Sequence, residues 1–577
     1  MDNSAKPFED DVPYFKTESP FLGSGEYLSA AMKLTTNSFK FLQKMNPNGA
    51  FFIFALFMAF FVYRLDMVAF EKPYGMHQWR QCDAYSMALN YYQEGRGLFD
   101  PAIHFLHGDD SGRAAGEFTG SYWLNAKLWK WVGFHPWTMR WLHFLIWLVG
   151  CWALFALGRS WFSIRASLCV VWLVMISPLM VFYGPNYLVN VAALSFVFMS
   201  WYLANKFLNS DSHSFRNQVL LCTTLAFSIL FRPTMILGWL PVVFAAWMFG
   251  DRKKWFWTLF WPLVIGLAWV FWAKHVNANS RSPYFLTSVR PIWEAPDAWK
   301  IWKAFREDLL PQWYHRFLLV GGALIWLISR PRSLTSPANT WKAWRLTLFP
   351  MALALICYTS LWFGNLDVHD YYLIEYQLIV PICGWSIVAG KSAISKRASA
   401  VNRLFPWAVS FLLLFQSLEA RLRTEMKYKT PSGWLFETVI PQRERDVWSW
   451  FHWDQKRRFD RFEEVQGQLR KLGYSRYDRV ISVPDPSPNI TLSLMDQMGF
   501  TDLYDDHLQG DERIEHYVAR GAVVLVCNDP AWLESHSNSP WLQRPIASVG
   551  NTLIFDLSES IPPLQPQSGE LEVQKSN

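Results

Sequence analysis

Apolar runs of about bilayer-spanning length recur along this sequence, and they limit its fold more than any other feature. A bilayer core ~30 Å deep takes roughly 20 apolar residues as a helix, and a helix satisfies its own backbone polar groups. Eleven runs are read here: 50–69, 138–158, 165–184, 187–208, 217–232, 234–250, 255–275, 313–329, 343–363, 372–390 and 403–420. They predict a polytopic α-helical membrane protein with about 11 transmembrane helices. Any of them could instead be two half-helices. Of 577 residues, 51% are hydrophobic and 18% aromatic.

Basic residues orient the predicted helices, because short cytoplasmic loops are enriched in Lys and Arg. With the N-terminus inside, the inner loops carry Arg159 and Arg165, Lys206 and Arg216, Arg252 to Lys254, Arg330 to Arg345, and Lys391 to Arg403. The short outer turns at Gly184 and at Gly364 to Asp370 carry no cation, and Arg232 is the exception. The net charge of +7 is thus a matter of membrane orientation, and nucleic acid is not an expected partner.

Residues 1–48 read as a cytoplasmic arm with an amphipathic stretch from Tyr27 to Met45, and the first span is expected to insert uncleaved. Residues 49–420 hold the spans and two long outer loops, 71–136 and 277–312. Residues 421–560 are polar and read as a small extracytoplasmic α/β domain, with 561–577 a disordered tail. In that domain Lys456 to Leu472 has helical periodicity. Asp478 to Val483 and Ala522 to Val526 read as buried strands, and Ala547 to Leu557 as a strand or hairpin. It contains no Gly-rich phosphate loop, so packing over the membrane site or docking a substrate is the expected role. Of the seven cysteines, only Cys82 and Cys527 lie outside the runs, and a disulfide between them is one reading.

Chemistry concentrates in the first outer loop, in Met76 to Asn90. His77, Arg80 and Asp83 fall near one face if this segment is helical, a cation cluster beside one carboxylate. The plain alternative is an amphipathic helix in the headgroup region, anchored by Trp79 and Tyr85. Glu117 shares the loop. Arg232 ends the fifth run in Phe231-Arg-Pro-Thr234, and His369-Asp-Tyr-Tyr372 opens the tenth. All these groups are predicted on one side of the membrane. Snorkelling for Arg232, a structural hydrogen bond for His369, and solvation for the two carboxylates are the competing readings.

The arrangement resembles the GT-C superfamily of polyprenyl-phosphate-sugar glycosyltransferases, and within it the protein O-mannosyltransferases and the lipid A aminoarabinose transferase. The resemblance rests on His77-x-Trp-Arg-Gln-x-Asp83 with Ala88-x-Asn90, on Glu117-Phe118, on Arg232-Pro233, and on His369-x-Tyr-Tyr372 leading to Pro381. It covers residues 50 to 420. Thr119 stands where the family commonly has Pro.

The resemblance implies an inverting transfer from a polyprenyl-phosphate-linked sugar to an acceptor hydroxyl or phosphate on the extracytoplasmic side of a bacterial inner membrane. The acceptor would be a glycan, a lipid or a protein. Asp83 would be the base for the acceptor hydroxyl, and Glu117 a second carboxylate. His77, Arg80, Arg232, His369, Tyr371 and Tyr372 would hold the phosphate. The resemblance implies no definite cofactor; a divalent ion, Mg or Mn, shared by Asp83 and Glu117 is one option. A lipid-linked-saccharide flippase and a membrane scaffold are the alternatives from other classes. The scarcity of charge inside the spans speaks against the flippase.

Overall fold

Proline sets where several apolar runs break. In this computed structural model, residues 46–209, 215–282, 289–328, 339–394, 399–459, 461–503, 508, 510–543 and 545–558 are described. The chain divides into two compact units, one ending at Phe54 and one running from Ala55 to Asn577, and the candidate site lies in the second. The arm as far as residue 45 and the tail 561–577 lie outside the described residues.

Among the described residues, five helices are long and apolar enough to cross a membrane. They are Thr138–Arg159, Asn190–Leu208, Arg252–Ser280, Ala343–Leu361 and Asp370–Ala389. Pro47–Val62, Ile164–Met175, Phe215–Phe231, Pro233–Phe249 and Arg316–Ile325 are shorter apolar helices. A further helix, Ser399–Glu425, contains the last run. This is a mostly helical, multi-pass membrane protein. Thr138–Arg159 packs along Asn190–Leu208, which packs on Phe215–Phe231. Gly150 permits the first of these contacts, since a Cβ there would stand 2.6 Å from the Ser195 Cβ.

The run at 165–184 is not one helix. It stops at Met175 and restarts at Pro178–Tyr183, with Ser177 extended at φ −63°, ψ 129°. A residue before proline is driven from the helical region, and proline has no N–H to continue the ladder. Pro233 acts alike on Arg232, which is extended at φ −155°, ψ 104° between Phe215–Phe231 and the 3-10 turn Pro233–Trp239. The run 372–390 opens as the 3-10 helix Asp370–Leu378 before Val380–Ile394 takes over.

The C-terminal residues form a five-stranded sheet in the order β2-β1-β3-β5-β4. Its strands are β1 Arg479–Val483, β2 Gly499–Phe500, β3 Ala522–Cys527, β4 Pro545–Val549 and β5 Thr552–Asp556. β1 pairs in parallel with β2 and β3, and the β4–β5 hairpin adds antiparallel to β3. The helix expected over 456–472 is two, Gln442–Phe459 and Phe462–Lys471, and Arg461 before the second has φ +63°. Cys82 and Cys527 are both free thiols, buried apart, so no disulfide joins them.

The first outer loop is tied to this sheet. Leu106 N–H donates to the Gly499 carbonyl at 2.8 Å, and Gly499 N–H to that of His104 at 3.1 Å. Arg476 binds Glu94 at 2.7 Å and Asp496 at 2.8 Å, and it also bonds to Asn90. Arg479 and Arg520 both pair with Asp110.

Candidate functional site

The site is built on the helix Gln78–Gln93. It begins at a tight turn in which Gly75 (φ +80°) and His77 (φ +52°) are both left-handed. At Gly75 a Cβ would sit 2.8 Å from the Lys427 carbonyl, so only glycine fits. His77 has no such exemption, and a non-glycine residue held there costs on the order of 1–3 kcal/mol. The turn is fastened by the helix it starts. Gln78 donates to the Pro73 carbonyl at 3.1 Å, and Gln81 donates to those of Tyr74 and Met76 at 2.7 and 2.9 Å. Arg140, fully buried, holds the approach by donating to the Glu71, Lys72 and Pro185 carbonyls.

Polar residues on this helix are not at a membrane surface. Gln81, Asp83, Ser86 and Asn90 are all buried, and so is Tyr85. The helix is enclosed by the helix Gly120–Val132 on one side and the segment Ile490–Met495 on another. Asn489 donates to the Cys82 carbonyl at 3.4 Å, one residue from Asp83. The interfacial-helix reading is therefore incorrect.

Arg80 and Asp83 pair at 3.6 Å, one helical turn apart. Arg80 also donates to Glu117 at 2.8 Å, and the Tyr122 hydroxyl donates to the same carboxylate at 3.2 Å. Burial opposes ionisation of Glu117, but the Arg80 charge and these donors hold its carboxyl below the usual range. Phe118 N–H bonds to the Leu230 carbonyl, and Thr119 meets the Tyr91 hydroxyl at 2.8 Å. Thr119 thus fixes the Glu117 loop to the site helix where the family's usual proline would offer no hydroxyl.

The second group lies around Asp370, which has no exposed surface. It accepts from His77 Nε2 at 3.2 Å, from the Tyr183 hydroxyl at 2.5 Å and from Lys427 Nζ at 3.5 Å. The His77 ring stacks on His369, centroids 5.4 Å apart and planes 4° from parallel, and meets the edge of Tyr371 at 4.9 Å. Burial, with the His77 charge adding to it, pushes the His369 imidazole down to about 4. Burial also lowers the Lys427 ammonium, against the opposing pull of Asp370.

The third group centres on Arg232. Its guanidinium forks onto the buried Glu375 carboxylate, which also accepts from the Thr234 hydroxyl. It lies over the Tyr371 and Tyr372 rings at 5.6 and 5.3 Å. Tyr371 joins the second and third groups, its ring touching both His77 and Arg232. All eight residues singled out in the sequence thus converge, with Arg232 and Arg80 already paired to carboxylates. Arg80 is the more open cation, its side chain 23% exposed against 10% for Arg232 and 1% for Lys427.

Asp370, Glu375, Tyr183 and Lys427 were not anticipated. Glu375 lies within the predicted run 372–390, so the spans are not as poor in charge as they read. An acidic residue in an apolar run was the available signal. Asp83 and Glu117 both face the Arg80 guanidinium, at 3.6 and 2.8 Å. No third His, Cys, Asp or Glu completes a metal cluster among the described residues.

Residues 120–275 match the family described as dolichyl-phosphate-mannose-protein mannosyltransferase. Among solved structures, ArnT from Cupriavidus metallidurans bound to undecaprenyl phosphate is 13% identical. That match covers 87% of this chain and 98% of that one at a TM-score of 0.48. The apo form is 12% identical, with coverage of 89% and 98% and a TM-score of 0.49. A comparison with curated proteins gave no match. The segment 120–275, which includes Arg232, thus carries the likeness to this family of lipid-linked-sugar glycosyltransferases.

Proposed function

We propose that this protein transfers a sugar from a polyprenyl-phosphate carrier to an acceptor hydroxyl, with inversion, on the extracytoplasmic face of a bacterial inner membrane. The observation that carries this is the convergence of Arg80, Arg232, His77, His369, Tyr371 and Tyr372 beside Asp83. The family match at 120–275 points to an isoprenoid phosphate as the carrier. The N-terminus is cytoplasmic and residues 421–560 extracytoplasmic in this reading, with 11 spans between.

A phosphate leaving group needs little general acid, so two things remain: a base for the acceptor and positive charge for the departing phosphate. Asp83 is the base. As it takes the acceptor proton, the acceptor oxygen attacks the anomeric carbon and the bond to the phosphate oxygen breaks. Arg80 meets the phosphate first, being the most open of the cations, and the tyrosine hydroxyls add neutral donors. Glu375 and Glu117 keep Arg232 and Arg80 in place while the site is empty, where an unpaired buried charge would be costly. Glu117 orients the acceptor.

Broken helices with buried charge also occur in transporters, so the test must separate the two readings. Purified wild type and Asp83→Asn are compared for release of polyprenyl phosphate from a radiolabelled polyprenyl-phosphate-sugar pool with an envelope extract as acceptor. Release that requires both acceptor and Asp83 is expected. An active Asp83→Asn enzyme removes the assigned base. No release by folded wild type, with lipid movement in liposomes, turns the reading to a flippase.

A further inference from the structure

Asp370 touches neither the proposed base nor the open cation, yet it is bonded by three different residues. Its Oδ1 accepts from both His77 Nε2 and the Tyr183 hydroxyl, and its Oδ2 faces Lys427 Nζ. Each donor comes from a different part of the chain. His77 precedes the site helix, Tyr183 ends the half-helix after Pro178, and Lys427 follows the last apolar helix. The hydrogen bond to a carboxylate, which only accepts, puts a proton on His77 Nε2, and Nδ1 can serve a phosphate, itself only an acceptor, when the ring is the imidazolium paired with Asp370 and Nδ1 donates. Nδ1 has no hydrogen-bond partner among the described residues. The ring itself is fixed by the His369 stack and the Tyr371 edge.

We propose that Asp370 is a positioning residue, which holds the His77 ring so that Nδ1 is presented to the phosphate of the lipid carrier. The proposal rests on the reading of this site as a polyprenyl-phosphate site and adds the residue that orders it. A left-handed His77 has a reason under this assignment: the backbone conformation delivers the ring to Asp370, and Asp370 returns part of its cost. Asp370 makes no contact with the substrate; it acts through His77 alone. Lys427 and Tyr183 keep the carboxylate ionised and immobile.

The test is a double-mutant cycle read by binding. Full-length wild type, Asp370→Asn, His77→Gln and the double variant are purified in detergent. Affinity for a short-chain polyprenyl phosphate without sugar is measured, with thermal unfolding alongside. Asp370→Asn and His77→Gln are each expected to weaken binding by roughly ten- to a hundredfold, the worth of one charge-assisted hydrogen bond. In the double variant, Asp370→Asn should add nothing, since its partner is already gone. An equal, additive loss on the His77→Gln background overturns the proposal and makes Asp370 an anchor for Lys427. Unchanged binding by folded Asp370→Asn overturns it as well.

If Asp370→Asn does not give folded protein, Asp370→Glu takes its place in the cycle. It keeps the charge opposite Lys427 and displaces the oxygens by one methylene. Binding like wild type by Asp370→Glu also overturns the proposal. Sugar transfer by the same preparations separates the two claims. Binding that follows the cycle without any transfer by wild type leaves the positioning role standing and removes the transferase. Wild type that binds no polyprenyl phosphate removes both.

Discussion

At the scale of single residues, protonation is the property most exposed to experiment. His369 is held at about 4, well below the ordinary imidazole near 6.5, chiefly by burial. His107 is lowered to about 4 for the same reason. The unfolded chain therefore binds more protons than the folded one between about pH 6.5 and 4. Stability should fall as pH is lowered through that window, then level off with respect to these two groups. Each contributes up to about 3 kcal/mol over that range. Unfolding temperatures from pH 8 to 4 should fall more gently for His369→Asn than for wild type; parallel curves would mean that His369 burial is not the source.

At the scale of elements, three broken apolar runs supply site residues: Tyr183 from the break at Pro178, Arg232 from the break at Pro233, and Asp370 and Glu375 from the 3-10 turn. Pro233→Ala should let the preceding helix continue through Arg232, drawing the guanidinium off Glu375. Transfer should drop at least tenfold while the protein remains folded, and retained activity would show that the extended Arg232 is not needed. Glu375→Gln should be the harsher change, because a buried Arg232 loses its counter-charge at a cost of roughly 3–5 kcal/mol. An unfolding temperature like wild type would contradict the pairing.

These breaks also mark how far the sequence could be read. Existence and rough position of the apolar helices follow from run length, Arg232 and His369 from polar groups at run ends, and Asp83 from its spacing with His77 and Arg80 in the first outer loop. The Asp370–His77 and Glu375–Arg232 pairs do not, since a partner 293 or 143 positions away leaves no local pattern. The two-residue strand β2 is likewise too short to show a period. Arg140 donates to three carbonyls far from it in sequence, contacts that only tertiary structure reveals.

At the scale of the whole molecule, sidedness and the covering sheet make separate claims. With native cysteines replaced, Ser111→Cys should react with a membrane-impermeant maleimide in intact spheroplasts, and Lys253→Cys only after permeabilisation. The opposite pattern would invert the topology. Arg476 bonds to Glu94, Asn90 and Asp496, and so joins the site helix to the sheet. Arg476→Met should lower the unfolding temperature and reduce transfer together, even though Arg476 is not among the assigned phosphate ligands. Loss of neither would mean that the sheet only rests on the site.

The bond between His104 and Asp496 at 2.9 Å spans 392 positions, and the neighbouring Phe105 pairs with Gly499 as an extra rung beside β2. During synthesis, the loop that carries Asp83 leaves the ribosome long before its partners do. A chain made at ~5–20 residues per second leaves that loop waiting on the order of tens of seconds. A ribosome stalled before residue 499 would leave a membrane-inserted chain without its closing rung, a difference that limited proteolysis of arrested chains would reveal at residues 102–113.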